Sequence, residues 1–171
     1  MAISTYNARI DIARYYVNKA TTTYFAIGKS SAWSDEMTPP TPNAKATKLD
    51  EVIGYKKATR VSLCRPLVQG ESTSYEKVTY GDTTWVLIPD SKAFSEGAKW
   101  VYFETDISGD ELPLGFYRQV GVHTDLVPSV SKSNLLPSEV RDSGTLIFYD
   151  NRQPQNRMAQ SSVKERYIME L

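Results

Sequence analysis

Residues 116–123 read FYRQVGVH, and the prediction of the fold class starts from the period of two in this stretch. Two sets of side chains alternate along it, namely Phe116, Arg118, Val120 and Val122 in one and Tyr117, Gln119, Gly121 and His123 in the other. Because successive side chains of a β-strand point to opposite faces of the sheet, this alternation predicts a strand.

The same period of two recurs on both sides of this stretch. β-Branched and aromatic residues, which favour strands, fill residues 21–27 before Gly28, and two later runs flank a Gly81-Asp82 turn. The predicted strands are 21–27, 60–64, 75–80, 84–88, 99–105, 116–123, 145–149 and 163–169. Strands at such spacing predict a mainly β (α+β) fold with an antiparallel β-sandwich core.

Helical spacing is clearest at the N-terminus. Apolar residues at steps of three and four predict an amphipathic helix between Ala2 and Ala20, with Ser4 or Thr5 as its N-cap. Its predicted apolar face is Ile3, Tyr6, Ile10, Ala13 and Val17. A short helix is also predicted from Thr47 to Lys57, although Gly54 weakens it, and a helical turn from Ser91 to Glu96.

Residues 29–46 predict an extended arm. Pro39, Pro40 and Pro42 remove backbone donors and hold the chain extended, so neither a helix nor a strand ladder can persist there. Trp33 lies in this arm without an obvious core of its own. Two interpretations stay open. Either Trp33 docks the arm on its own domain, which we favour slightly, or it anchors a neighbouring subunit.

Composition excludes several classes of protein. The 171 residues suit one domain spanning 1–171, and 20 basic and 20 acidic residues leave no basic patch for nucleic acid or an anionic membrane. One cysteine excludes an internal disulfide and a thiolate zinc cage. Charged residues interrupt the N-terminal stretch, so we expect neither a signal peptide nor a membrane span, and we expect folding in the cytoplasm.

The candidate reactive groups favour structural roles. Gly28-Lys29-Ser30 resembles the end of a phosphate loop, but Thr23 stands where that motif needs its first glycine. Cys64 and His123 are single residues in alternating strands, and residues 106–111 lack the order of a calcium loop. We therefore expect no enzyme activity, no catalytic residue, no cofactor and no metal.

Two other functions are kept as alternatives. The 11 Tyr, 5 Phe and 3 Trp suit a small carbohydrate-binding β-sandwich module, in which exposed Tyr24, Trp33, Trp85 or Trp100 would stack on sugar rings. The other alternative is a hydrolase that uses carboxylates or the Cys64 and His123 pair.

Three segments together resemble the baseplate wedge proteins of contractile-tailed bacteriophages, specifically the peripheral, homodimeric wedge subunit, here in a shortened form. They are YFAIGKSSAWSDEMTPPTP (24–42), LPLGFYRQVGVHTDLVP (112–128) and SGTLIFYDNRQPQNRMAQSSVKERYIMEL (143–171). The resemblance implies a β-sandwich core with helical additions. It also implies a structural virion protein of the tail baseplate with no catalytic residue.

From the resemblance we expect a chain that assembles as a homo-oligomer, a dimer, with other baseplate wedge subunits and supports tail fibre attachment, without nucleic acid or membrane. The interface candidates are Trp33, Pro39, Pro40, Pro42, Arg118, Asn151 and Arg152. Prolines stiffen an arm, which lowers the entropy lost on docking. Arg152 lies in an Asn-Arg-x-Pro turn, where it either reaches a neighbouring subunit or, as we favour, only fixes a connection between strands.

Overall fold

The computed structural model describes residues 1–171, and it is mainly antiparallel β with one α-helix near the N-terminus, as predicted. The helix is α1 (Tyr6–Val17). The strands are β1 (Tyr24–Gly28), β2 (Gly54–Lys57), β3 (Arg60–Pro66), β4 (Lys77–Tyr80), β5 (Thr83–Ile88), β6 (Trp100–Ile107), β7 (Gly115–Thr124), β8 (Val127–Pro128), β9 (Asn134–Leu135), β10 (Val140–Asp142), β11 (Thr145–Arg157) and β12 (Val163–Glu170). No helix has the length and hydrophobicity needed to cross a membrane.

The chain divides into two compact units. The first comprises Met1–Ala20, Thr59–Glu104 and Arg166–Leu171, and the second comprises Thr21–Ala58 and Thr105–Glu165. The single domain over residues 1–171 stays a prediction.

The first unit contains a five-stranded antiparallel sheet in the order β12-β6-β3-β5-β4. The predicted Gly81-Asp82 turn is confirmed, because Tyr80 pairs with Thr83 across it. One apolar cluster is centred on Cys64, Leu87 and Tyr102. The Arg166 guanidinium of β12 donates to the carbonyl oxygen of Thr79 in β4 at 2.9 Å, so the two edge strands of this sheet approach each other.

Helix α1 begins at the predicted cap, since the Thr5 hydroxyl accepts a hydrogen bond from the Ala8 N–H at 3.2 Å. Ile10 and Ala13 are buried, as the predicted apolar face requires. Ile3 lies before the helix and is exposed, and Tyr6 is also mostly exposed. The helix is therefore shorter than the apolar spacing predicted.

The second unit contains a five-stranded antiparallel sheet in the order β11-β7-β1-β2-β9. Strand β7, predicted from the alternation at 116–123, lies between β1 and β11 and pairs with both. Eight consecutive residues of β7, from Tyr117 to Thr124, are buried, so both faces of the strand are covered. A core of Tyr24, Ala26, Leu49, Tyr55, Leu126 and Leu135 packs in this unit.

The helix predicted from Thr47 to Lys57 is wrong. Residues Gly54–Lys57 form β2, which pairs with β1, and residues 47–53 form no helix. A Cβ at Gly54 would lie 2.6 Å from Leu112 Cδ2 and 2.9 Å from the Leu135 carbonyl oxygen, so the backbone packs too closely there for any larger residue. Pairing with β1 and this close packing override the helical spacing of the apolar residues.

The connection predicted at Asn151-Arg152-x-Pro154 is also wrong, because these residues lie inside β11. Asn151 pairs with Gln119 and Gln155 with Tyr117, so three residues on β11 oppose one on β7. This is a β-bulge, in which the extra residues leave the ladder locally. Pro154 fits there because it has no N–H to donate.

Candidate interaction site at the arm and strand β11

All seven predicted interface residues lie in the second unit, and hydrogen bonds connect the arm with β7 and β11. The arm, residues 29–46, has neither a helix nor a strand, as predicted. Pro39 is half-buried, whereas Pro40 and Pro42 are exposed. The sequence thus identified residues that come together in space, although they are up to 119 positions apart.

Arg118 holds the first half of the arm. Its side chain is buried, and its guanidinium donates to both carboxylate oxygens of Glu36, at 3.0 and 2.9 Å from Nε, and to the Ser30 carbonyl oxygen at 2.6 Å. These hydrogen bonds lower the pKa of Glu36. A planar guanidinium that binds one carboxylate through two nitrogens fixes orientation as well as position, so Glu36 has little freedom to rotate.

Trp33 docks on its own chain. The indole Nε1 donates to the carbonyl oxygen of Arg152 at 2.8 Å, and the ring is half-buried. The ammonium of Lys29 lies 5.1 Å from the ring centroid, within reach of a cation–π interaction. In this structure Trp33 therefore anchors the arm to β11 of the same molecule.

The second half of the arm follows the side chains of β11. Asn151 Nδ2 donates to the Pro40 carbonyl oxygen at 2.7 Å, Gln153 Nε2 donates to the Met37 carbonyl oxygen at 3.2 Å, and the Tyr149 hydroxyl accepts from the N–H of Asn43. Tyr149 and Asn151 are two positions apart in the regular part of β11, so their side chains lie on one face of the strand, whereas Gln153 lies in the bulge.

The two halves of the arm contact opposite faces of the sheet. Arg118 and Gln119 are neighbours on β7 and so point to opposite faces. Glu36 binds Arg118, whereas Asn151 lies beside Gln119, whose Nε2 donates to the Asn151 side-chain oxygen at 2.9 Å. Because Asn151 also binds Pro40, the arm passes round the outer edge of β11 between residues 36 and 40.

Arg152 is engaged within its own chain. Its Nη1 donates to both carboxylate oxygens of Glu165 in β12, at 3.1 and 2.9 Å, and Tyr117 donates its hydroxyl hydrogen to the same carboxylate at 3.0 Å. Burial and this carboxylate raise the pKa of Tyr117, so its hydroxyl stays protonated. The alternative in which Arg152 reaches a neighbouring subunit is not needed to pair its charge, because Glu165 of the same chain supplies the carboxylate.

Sequence reasoning missed Glu36 and Glu165. The spacing of Arg118, which alternates with Val120 and Val122, indicated a charge on an apolar face and therefore a need for an acidic partner. No local pattern indicates which acid pairs with Arg118, because Glu36 is 82 positions away.

The residues of the phosphate-loop-like motif and of the calcium-loop-like segment make contacts within the chain. Lys29 of the Gly28-Lys29-Ser30 motif pairs with Glu51 at 3.2 Å. In the loop that resembles a calcium site, the guanidinium of Arg157 donates to four carbonyl oxygens, those of Ser108, Glu111, Leu112 and Pro113. A fixed positive charge already binds the oxygens that a cation would use.

Neither Cys64 nor His123 has the setting of a catalytic group. Cys64 is fully buried, and burial raises the pKa of its thiol to about 12, so it does not form a thiolate near neutral pH. His123 Nδ1 lies 2.9 Å from the Ser143 carbonyl oxygen, which can only accept, so Nδ1 carries the hydrogen. Its buried Nε2 has no partner.

The aromatic residues considered for sugar binding are not arranged as a stacking platform. Tyr24 is buried, and Trp85 and Trp100 are half-buried and meet edge to face with ring centroids 5.9 Å apart. The indole N–H of Trp33 is hydrogen-bonded to β11. No observation favours the carbohydrate-binding alternative.

We expect Arg152→Ala to lower the free energy of unfolding by roughly 2–3 kcal/mol, because it leaves the Glu165 carboxylate buried without its cation. The loss should stay below that of a fully buried pair, since the Arg152 side chain is 20% exposed. Urea unfolding followed by circular dichroism measures it. Arg60→Ala is the control, because its pair with Glu76 is exposed and should cost at most about 1 kcal/mol. Equal losses in the two variants would contradict the buried role of Arg152.

We expect the free energy of unfolding to fall between pH 8 and pH 5.5 because of His123. Burial lowers the pKa of the imidazole in the folded state. Below about pH 6.5 the unfolded state therefore binds more protons than the folded state, and the free energy of unfolding decreases as the pH is lowered. Hydrogen bonds from Arg65 lower the pKa of Glu71 to about 2. The contribution of Glu71 to stability is therefore lost only below about pH 4.3 and does not interfere in this range. Urea unfolding of His123→Gln should show a shallower pH dependence, and an unchanged slope would refute this assignment.

The whole chain matches one protein family. Residues 1–171 match the family described as "Baseplate wedge 3 tail fiber network component". "Virion protein 3" of Enterococcus phage phiEF24C is 47% identical over 171 residues, which cover 99% of this chain and 94% of that protein. The resemblance to baseplate wedge proteins that three sequence segments indicated is confirmed, and the chain belongs to the baseplate wedge 3 tail fibre network component family of phage virion proteins.

Proposed function

We propose that this chain is a structural, non-enzymatic subunit of a contractile phage tail baseplate that works by protein–protein contacts. It binds other wedge subunits, takes part as a homodimer and supports the attachment of tail fibre proteins. Membership of the family supports the baseplate role. The observation that carries the proposal further is the arm, which the chain holds in one conformation on its own surface.

The outward surface of the arm suits a partner protein. The Met37 side chain is 75% exposed, and Pro40 and Pro42 are exposed beside it. The backbone behind them is fixed, since the Met37 and Pro40 carbonyl oxygens accept hydrogen bonds from β11. An apolar surface whose conformation is already fixed loses little entropy when it binds. We therefore place the contact with a neighbouring subunit on this outward surface.

The non-enzymatic role is supported by the state of the two candidate reactive groups. The Cys64 thiol is buried with its pKa raised, and the His123 ring is buried between a carbonyl oxygen and the Tyr55 ring. Neither group is presented to a substrate, whereas the arm presents its apolar surface to solvent.

Met37→Lys should weaken the capture of other baseplate proteins at least tenfold, because it places a charge in the middle of the proposed contact. The assay is pull-down of phage tail proteins by the purified tagged chain from an infected-cell extract, with mass spectrometry to identify the captured proteins. The matched control is Met158→Lys, because Met158 is also an exposed methionine of the second unit, at 56%.

Both variants should unfold at the same temperature as the unaltered chain, which shows that the arm remains docked. Capture that is equal for Met37→Lys and Met158→Lys would reject the arm as the contact surface. Capture of no baseplate protein even by the unaltered chain would reject the baseplate role itself.

A further inference from the structure

Strand β11 forms an edge of the sheet in the second unit. It pairs with β7 on one side and is the last strand in the order β11-β7-β1-β2-β9. It is also the longest strand, from Thr145 to Arg157. A long edge strand presents unpaired backbone donors and acceptors, which a second chain can use as a template for pairing.

The sequence of β11 increases this risk. Residues 145–149 read TLIFY, an uncharged run in which two residues are β-branched and two are aromatic, which is typical of segments that pair with copies of themselves. Natural proteins limit such pairing with charges, prolines, bulges or a covering segment. The following residues supply the first two of these devices, with Asp150, Arg152 and Pro154.

Two bulges divide β11. The register with β7 shifts between Leu146 and Phe148 and again between Asn151 and Gln155. Between the shifts, residues Phe148–Asn151 pair with Val122–Gln119 without interruption. This is the regular stretch that a second strand could extend, because bulges bend the strand on either side of it.

The arm covers this stretch. Its contacts on β11 fall at Tyr149, Asn151, Arg152 and Gln153. The indole of Trp33 donates to a backbone carbonyl of the edge strand itself. The arm therefore lies along the edge of β11, bound to the side chains of Tyr149 and Asn151 and to the Arg152 carbonyl oxygen. Because the arm forms no strand, it offers no new ladder to a further chain.

We propose that the inner side of the arm is a cover that prevents β11 from pairing with β11 of a second copy of this chain. Pairing of a strand with itself about a two-fold axis is antiparallel and self-complementary, so a second copy is the occupant that the uncovered edge fits directly. This role concerns the isolated subunit and goes beyond the proposed baseplate contact, which uses the outward side of the arm.

The test uses a chain without the arm. The Lys29 N–H lies 2.7 Å from the Asp50 carbonyl oxygen, so a Gly-Ser-Gly linker can replace residues 31–47 without separating β1 from β2. Arg118→Gln is included so that the loss of Glu36 leaves no buried unpaired charge. Circular dichroism and a cooperative thermal transition establish that the armless chain folds.

Sedimentation velocity over a hundredfold concentration range gives the weight-average mass. The mass of the armless chain should rise with concentration toward twice that of one chain, and Asn151→Lys in the same chain should reverse the rise, because a lysine on the exposed edge opposes pairing. Val68→Lys, a charge at an exposed site of the first unit, should not reverse it. A folded armless chain whose mass Asn151→Lys leaves unchanged would overturn the proposal.

A point variant covers the case in which the armless chain does not fold. Trp33→Ala removes the contact with the Arg152 carbonyl without cutting the chain. Amide hydrogen exchange in residues 145–153 should then become at least tenfold faster, and unchanged exchange would overturn the proposal. Because both readouts use the purified chain alone, they can fail independently of the capture experiment that tests the baseplate contact.

Discussion

The guanidinium of Arg118 sets the position of the arm. Its side chain is buried on β7, and a buried charge is tolerated only when it is paired and hydrogen-bonded. Glu36 and the Ser30 carbonyl oxygen supply both requirements, and both belong to the arm. Once this pair forms, Trp33 lies close enough to bind the Arg152 carbonyl, and the rest of the arm continues round β11.

Strand β11 then has contacts on two sides. The arm binds its side chains and one of its carbonyls, while Arg152 binds Glu165, which also accepts from Tyr117. The arm and the strand stabilise each other because hydrogen bonds connect them, although the bonded residues are far apart in the sequence. A surface that is fixed before binding is what an assembly held together by many weak contacts needs, since each subunit then loses little entropy on joining.

The sequence predicted those parts of the fold in which local pattern and tertiary structure agree. The alternation at 116–123 and the Gly81-Asp82 turn correspond to β7 and to the turn between β4 and β5. The helix over 47–57 failed because β2 pairs with a strand whose position the local sequence cannot encode. The Asn-Arg-x-Pro segment failed because a bulge and a turn favour the same residue types. The interface candidates named from the sequence lie close together in the structure. Glu36, the partner of Arg118, was not predicted, since 82 positions separate the two residues.

The most direct measurement is an electron cryomicroscopy map of the intact tail of the phage that encodes this chain. The account predicts density for the chain in the baseplate wedge, with Trp33 seated on its own β11 and with Met37, Pro40 and Pro42 against a neighbouring subunit. A baseplate in which the outward side of the arm faces only solvent, or finished particles that lack the chain, would contradict it.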